Sequence, residues 1–183
     1  MLREGFYPAQ RAAALYRRLL EDIDWQQPDI TVFGKRHKLP RLTAFYGDDG
    51  IDYSYSGLRH SALQWTPTLQ RLKKDVERAT GLHFNSVLAN LYRDGADSNG
   101  WHADNEAELG AQPQIASLSF GASRDFHFKH RVLAEHYYSC ALHSGSLLVM
   151  AGDMQNHWLH QLPKRRRVHD ARINLTFRCV ENP

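Results

Sequence analysis

The chain has 183 residues, 42% of them hydrophobic, with 23 Lys and Arg against 20 Asp and Glu. That length predicts one domain hiding about 70% of its unfolded surface, and a net charge of +3 is too small to define a partner. No apolar run nears the roughly 20 residues a membrane helix needs. MLREGFYPAQ has no apolar signal core. Two cysteines, Cys140 and Cys179, are too few for a disulfide scaffold or a cysteine-rich zinc site. The expectation is a soluble intracellular domain, monomeric and without a membrane partner.

In chain order, a first helix is predicted over 8–23, where Ala12, Leu15, Leu19, Leu20 and Ile23 recur at helical spacing after Pro8. A turn signal follows at Gly47-Asp48-Asp49-Gly50. The second helix opens on Thr66 as a cap with Pro67 in its first turn, carries Leu69, Leu72, Val76 and Ala79, and stops at Gly81. Beyond it, β-branched and aromatic runs sit at 84–92, 114–120, 125–129, 145–151 and 172–180, with turns such as Asp94-Gly95 between them. Short strands after an α-rich first third predict a β-sandwich or jelly roll with helices packed outside.

Two of these strands carry chemistry on one face. In Arg172–Arg178 the residues Arg172, Asn174, Thr176 and Arg178 point one way, and Ile173, Leu175 and Phe177 the other. Such a row of fixed donors suits a small dicarboxylate, because guanidinium binds carboxylate through a paired fork. Asn90 and Tyr92 share a face in the same manner, with Ala89 and Leu91 opposite. Two inward polar faces imply a ligand in the lumen of a barrel-like sheet.

His102-Ala-Asp104 places an imidazole and a carboxylate on one side of an extended segment. That is the close pair of a two-histidine, one-carboxylate triad, which holds Fe(II) and leaves positions open for cosubstrate and oxygen. The third ligand has to come from a distant strand; His143, His157, His160 and His169 are candidates, and spacing does not select among them. Zinc competes for such a set. The dicarboxylate-binding row favours iron, whose oxygenases need an oxo-acid beside the metal.

With these pieces together, the sequence resembles the AlkB family of iron(II)- and 2-oxoglutarate-dependent dioxygenases, and within it the branch acting on alkylated bases in duplex DNA. The resemblance runs from about residue 30 to the C-terminus. It is carried by VFGK at 32–35, FYGDDGIDYSYSG at 45–57, FNSVLANLYRDGADSNGWHADNE at 84–106, IASLSFGASRDFHFKH at 115–130, SGSLLVM at 144–150, HWLHQLP at 157–163 and ARINLTFR at 171–178. It implies a mainly β fold, a double-stranded β-helix (jelly roll) with N-terminal helices outside and a nucleotide-recognition lid. One dioxygenase domain would span 1–183, with helices and lid in 1–83 and the jelly-roll core in 84–183.

The resemblance also implies roles. His102, Asp104 and His160 would bind iron, leaving His157 a supporting part. Arg172 and Arg178 would clamp the two ends of 2-oxoglutarate, aided by Asn90, Tyr92 and Thr176, while Asn174 braces its neighbours. Tyr53 and Tyr55 would wall the pocket of a flipped base, with Asn105 and Glu106 at its exocyclic groups. The duplex-acting branch usually has an acid where Asn105 stands, a departure that bears on base preference. Val32-Phe33-Gly34 resembles a finger whose aromatic wedge fills the gap left by the base, with Lys35, Arg36, Lys38 and Arg41 on phosphates, and a second basic run, Lys164–Arg167, that is either a further backbone clamp or a solvated loop. The implied activity is oxidative dealkylation of bases such as 1-methyladenine and 3-methylcytosine, with Fe(II), 2-oxoglutarate and O2, releasing formaldehyde. The implied partner is alkylated, double-stranded DNA, met in the bacterial cytoplasm at the nucleoid or in a eukaryotic nucleus. Two rivals stand beside it: the same chemistry on RNA or a protein side chain, and lesion binding without catalysis.

Overall fold

The computed structural model describes residues 1–32, 34–55 and 58–181; for 32, 53–55 and 58–60 the backbone alone is described. Helix α1 (Ala9–Asp22) starts after Pro8, whose carbonyl accepts from Ala12 N at 2.9 Å. Helix α2 (Pro67–Thr80) is capped as its sequence predicts. Thr66 Oγ1 accepts from Leu69 N at 3.2 Å, and Gly81, at φ 72°, donates its N–H to Glu77 O at 2.8 Å. A Thr cap of this kind contributes about 1 kcal/mol. The apolar stripes Ala12 and Leu19, and Leu69, Leu72 and Val76, are fully buried.

The first seven strands are β1 (Leu2–Arg3), β2 (Asp29–Val32), β3 (Lys35–Lys38), β4 (Leu42–Gly47), β5 (Asp52–Tyr55), β6 (Leu58–Ser61) and β7 (Leu63–Gln64). Then come β8 (Ser86–Tyr92), β9 (Asn99–His102), β10 (Ile115–Gly121) and β11 (Arg124–His130). The last are β12 (Tyr137–Leu142), β13 (Leu147–Met150), the short helix α3 (Met154–His157), β14 (Trp158–Leu162) and β15 (Arg172–Arg178). They form a seven-stranded sheet, ordered β1-β13-β10-β15-β8-β4-β7, and a four-stranded sheet, ordered β12-β11-β14-β9. From β8 onward the chain passes repeatedly between the two sheets, the winding of a double-stranded β-helix. Two hairpins, β2–β3 and β5–β6, stand apart from both.

The large sheet does not respect the expected boundary between residues 83 and 84. It takes β1, β4 and β7 from the N-terminal stretch, and β4 pairs with β8 along its whole length, from Leu42 opposite Leu91 to Gly47 opposite Ser86. The reason is an edge: without β4, the buried strand β8 would leave one side of its ladder unpaired.

Alternation along the large sheet sends each strand's side chains to two environments. Val87, Ala89 and Leu91 of β8, Ala116, Leu118 and Phe120 of β10, and Ile173, Leu175 and Phe177 of β15 pack against the helices in one core. The opposite face meets the small sheet. There a second apolar cluster, including Leu88, Ile115, Phe128, Leu142 and Met150, closes part of the space between the sheets, and polar side chains line the rest. Among the described residues no helix is long and apolar enough to cross a membrane.

Candidate metal centre

The space between the sheets holds about 450 Å³ of empty volume, its open mouth included. Its walls are Asn90, Tyr92 and Leu88 from β8, Ser117 from β10, and Arg172, Asn174, Thr176 and Arg178 from β15, facing Asn99, His102, Phe126, His160 and Leu162 of the small sheet. Asp104 and Met150 complete it. The inward row read from the alternation of β15 is therefore one wall of a cavity.

His102, Asp104 and His160 offer three ligand atoms within 4.8 Å of one another. Strand pairing brings the histidines together: His160 of β14 lies opposite His102 of β9, with ring centroids 4.2 Å apart. His102 Nδ1 sits 2.7 Å from Gly100 O. A carbonyl can only accept, so Nδ1 carries the hydrogen and Nε2 keeps its lone pair for a metal or, as here, for Asn99 Nδ2 at 3.1 Å. Burial and the neighbouring His102 push the His160 imidazole down to about 3, which keeps it neutral and able to ligate at pH 7.

Asp104 is 1% exposed. Its backbone N–H donates to Gln155 Oε1 at 3.0 Å, and Oδ2 accepts from Arg178 Nη2 at 2.8 Å. Burial alone would raise this carboxyl, yet Arg178 and the two histidines hold it down to about 2. Oδ1 is buried and accepts no hydrogen bond among the described residues. An ionised, buried oxygen facing two imidazole nitrogens is the lone-pair arrangement a divalent cation satisfies. Two nitrogens and one oxygen with open positions suit Fe(II).

The other end of β15 presents a guanidinium. Arg172 is 2% exposed; Nη2 donates to Ser119 Oγ at 2.9 Å, and the group lies over the Tyr92 ring at 5.5 Å. Burial lowers its pKa to about 10. Among the described residues it forms no salt bridge, and its Nε has no hydrogen-bond partner. Asn174 braces the row as expected, donating to Ser117 Oγ at 2.7 Å and accepting from Thr176 Oγ1 at 2.9 Å.

The expected base-binding residues are less gathered. Asn105 is exposed and Glu106 half-buried, and neither lines the cavity. Gly34, at φ 75°, and exposed Lys35 stand at the end of the β2–β3 hairpin, whose ladder closes on Val32 opposite Lys35. Phe33 lies outside the described residues, as do the side chains of Tyr53 and Tyr55 on β5. Arg36 and Lys38 share Asp29, each at 3.0 Å. Arg41 corrects the expected phosphate cluster: it is 2% exposed and donates through Nε to Asn90 Oδ1 at 2.8 Å. The turn at Pro40 ends the exposed hairpin, so a residue adjacent in sequence to surface cations lies in the interior. His157 is exposed on α3, not extended, and stacks on His130 at 5.9 Å. In the run 164–167, Arg165 bonds Asp125 and His127.

Two residues at the site carried no sequence signal. Gln155, fully buried, anchors Asp104. Arg124, also buried, donates to Asp94 O, Asp97 O and Pro163 O at 3.0, 3.0 and 2.7 Å, and lies over Tyr92 at 6.0 Å.

A jelly roll with a two-histidine, one-carboxylate cluster inside is the architecture of a non-haem metal oxygenase. The sequence matches the family model of the 2OG-Fe(II) oxygenase superfamily over residues 1–178, and the chain belongs to that superfamily. Fe(II), 2-oxoglutarate and O2 come with that membership. The chain is 41% identical over 179 residues to the DNA oxidative demethylase ALKBH2 of Mus musculus, covering 92% of this chain and 75% of the relative. It is 39% identical over 185 residues to the alpha-ketoglutarate-dependent dioxygenase alkB homolog 3 of Bos taurus, covering 96% of this chain but 64% of the relative, under two thirds of its length. The solved structure of OsALKBH1 superposes with a TM-score of 0.69 at 16% identity, over 97% of this chain and 95% of that one, a likeness of fold. The AlkB resemblance read from the motifs is borne out by these relatives.

Proposed function

We propose that the protein removes N-alkyl groups from bases of DNA, double-stranded DNA above all. The likeness to a relative named DNA oxidative demethylase supports the substrate. The observation that carries the cosubstrate is Arg172, a buried guanidinium with no salt bridge among the described residues, in the same cavity as the three metal-ligating side chains. A charge buried without a counter-ion costs several kcal/mol, and the distal carboxylate of 2-oxoglutarate would supply the counter-charge that Arg172 does not find among the described residues.

In this reading His102, Asp104 and His160 hold Fe(II), which when bound uses O2 and 2-oxoglutarate to hydroxylate the N-alkyl carbon, with formaldehyde, succinate and CO2 released. The chain's own groups position the reactants. Gly100 O fixes the His102 tautomer, and Arg178 keeps Asp104 ionised. Arg172, Tyr92, Asn90 and Thr176 take the cosubstrate, with Arg178 at its other end. Tyr53, Tyr55, Asn105 and Glu106 receive the base, and Gly34, Lys35 and Phe33 engage the duplex. One domain, acting as a monomer on DNA of the nucleoid or nucleus, completes the reading.

The test is mass spectrometry of a 3-methylcytosine duplex and its single strand, incubated with protein, Fe(II) and 2-oxoglutarate. Loss of the methyl group from the duplex is expected, and unchanged oligonucleotide would refute the assignment. Phe33→Ala should cut duplex repair by roughly 5- to 150-fold, the equivalent of about 1–3 kcal/mol of stacking, and leave single-strand repair close to wild type. Equal losses on both would remove the wedge.

A further inference from the structure

Strict alternation along β9 would turn Asn99 out of the cavity. His102 faces inward, so Gly100 should share its side, with Trp101 and Asn99 on the other. Trp101 obeys, packing outside the cavity against Tyr137 and under the Lys129 ammonium at 4.5 Å. Asn99 does not, and lines the cavity beside His102. The cause is a bulge. Between His160 and Leu162, two steps along β14, the partner changes from His102 to Asn99, three steps along β9. An extra residue in one strand re-aims the side chains beyond it. Here it aims an amide at a metal-ligating ring, with Asn99 Nδ2 3.1 Å from His102 Nε2. Because Gly100 O takes the hydrogen on Nδ1 at 2.7 Å, Nε2 is the acceptor and the amide is the donor. Asn99 therefore engages the lone pair that a metal needs.

We propose that Asn99 is a cosubstrate-binding residue held in reserve. It keeps the metal's place on His102 until the ion arrives, then donates to the oxygens at the metal end of 2-oxoglutarate. The inference rests on the oxygenase reading of the same cavity. The acceptor nitrogen of an imidazole has one lone pair, so ion and amide exclude each other at Nε2. The displaced Nδ2 stays on a wall of the cavity, beside a metal ligand. The oxo-acid end of the cosubstrate brings acceptor oxygens to that side, while its distal carboxylate goes to Arg172 at the far end of the row. His102 does not rely on Asn99 for its orientation, since Gly100 O fixes the ring through the other nitrogen. Removing the amide thus removes a competitor of the metal and a donor to the cosubstrate. The two affinities have to move in opposite directions, which loss of a merely structural contact would not produce.

Asn99→Leu keeps the size of the side chain and deletes the donor. Wild type and variant are titrated by calorimetry without oxygen, so that nothing turns over. Fe(II) is added to the metal-free protein first, and 2-oxoglutarate then to the Fe(II)-loaded protein. In the variant, Fe(II) affinity should rise and 2-oxoglutarate affinity fall, each by roughly two- to twelvefold, the equivalent of one hydrogen bond of about 0.5–1.5 kcal/mol. Asn99→Ala, which carries no donor either, should repeat both shifts, so the result does not hang on how well leucine fits. Any other pairing overturns the proposal. If both affinities fall, Asn99 is a brace for His102; if either stays at its wild-type value, the amide does not pass from ion to cosubstrate. Neither result touches the oxygenase reading. Wild-type, Fe(II)-loaded protein that takes up no 2-oxoglutarate overturns both.

Discussion

The two ends of β15 carry the same side chain in opposite circumstances. Arg178 and Arg172 lie on one face, six residues and so roughly 20 Å apart, and both are almost wholly buried. Arg178 finds its counter-charge inside the chain, donating to Asp104 at 2.8 Å. Arg172 finds a hydroxyl and the face of Tyr92, and no carboxylate among the described residues. The first guanidinium has its charge matched within the folded protein as it stands. The second is desolvated with no counter-charge among the described residues, and that imbalance is what an incoming dianion relieves. A buried cation matched inside the chain can serve the fold as well as the cosubstrate it faces, whereas one with no such match depends on the ligand.

Variants at these arginines test the distinction. Arg178→Ala should have the largest effect, about 3–5 kcal/mol of lost stability in urea melts of the metal-free protein, because it strands a buried carboxylate. Its pH dependence has a defined sign. The Asp104 carboxyl, held at about 2 in the folded protein, lies below its unfolded value of roughly 3.9, so its contribution is complete above that value and fades as pH falls toward 2. The gap between variant and wild type should narrow over that window. A gap independent of pH would mean the pair is not the source.

Arg124→Met comes next, with about 2–3 kcal/mol expected, since the carbonyls of Asp94, Asp97 and Pro163 lose charge-assisted donors. Arg172→Met should leave the urea midpoint unchanged or raise it. Calorimetric affinity for 2-oxoglutarate should nevertheless fall by on the order of tenfold to a hundredfold, the range of one charged hydrogen-bonded pair. If Arg172→Met destabilises as Arg178→Ala does, the two ends of the strand are alike and the contrast is gone.

Local rules made much of this legible. Thr66, Pro67 and Gly81 bound α2 as their cap chemistry dictates, and the strict alternation of β15 identified the cavity wall residue by residue. What failed was nonlocal. No spacing could choose His160 over His143, His157 or His169, because the choice is made by the pairing of β14 with β9 across 58 residues. Arg41 departs from its expected place for the converse reason. Its sequence neighbours are surface cations, while its spatial neighbour is Asn90 on another strand. Two-residue strands such as β1 and β7 hold no periodicity to detect; they exist because a sheet edge was there to pair with.

The facing of His160 and His102 across β14 and β9 also bears on how the chain reaches its final pairing. Side chains alternate with a period of two, so a slip of one residue along β14 would turn His160 away from the cavity and bring Leu159 or Gln161 into its place. Such a slipped sheet could still form its ladder but could not bind the ion with three ligands. An ion that binds only the correctly registered form lowers that form's free energy by mass action. Iron present during folding would then act as a proofreader of strand register, enriching the aligned sheet at the expense of its near-misses before any substrate arrives.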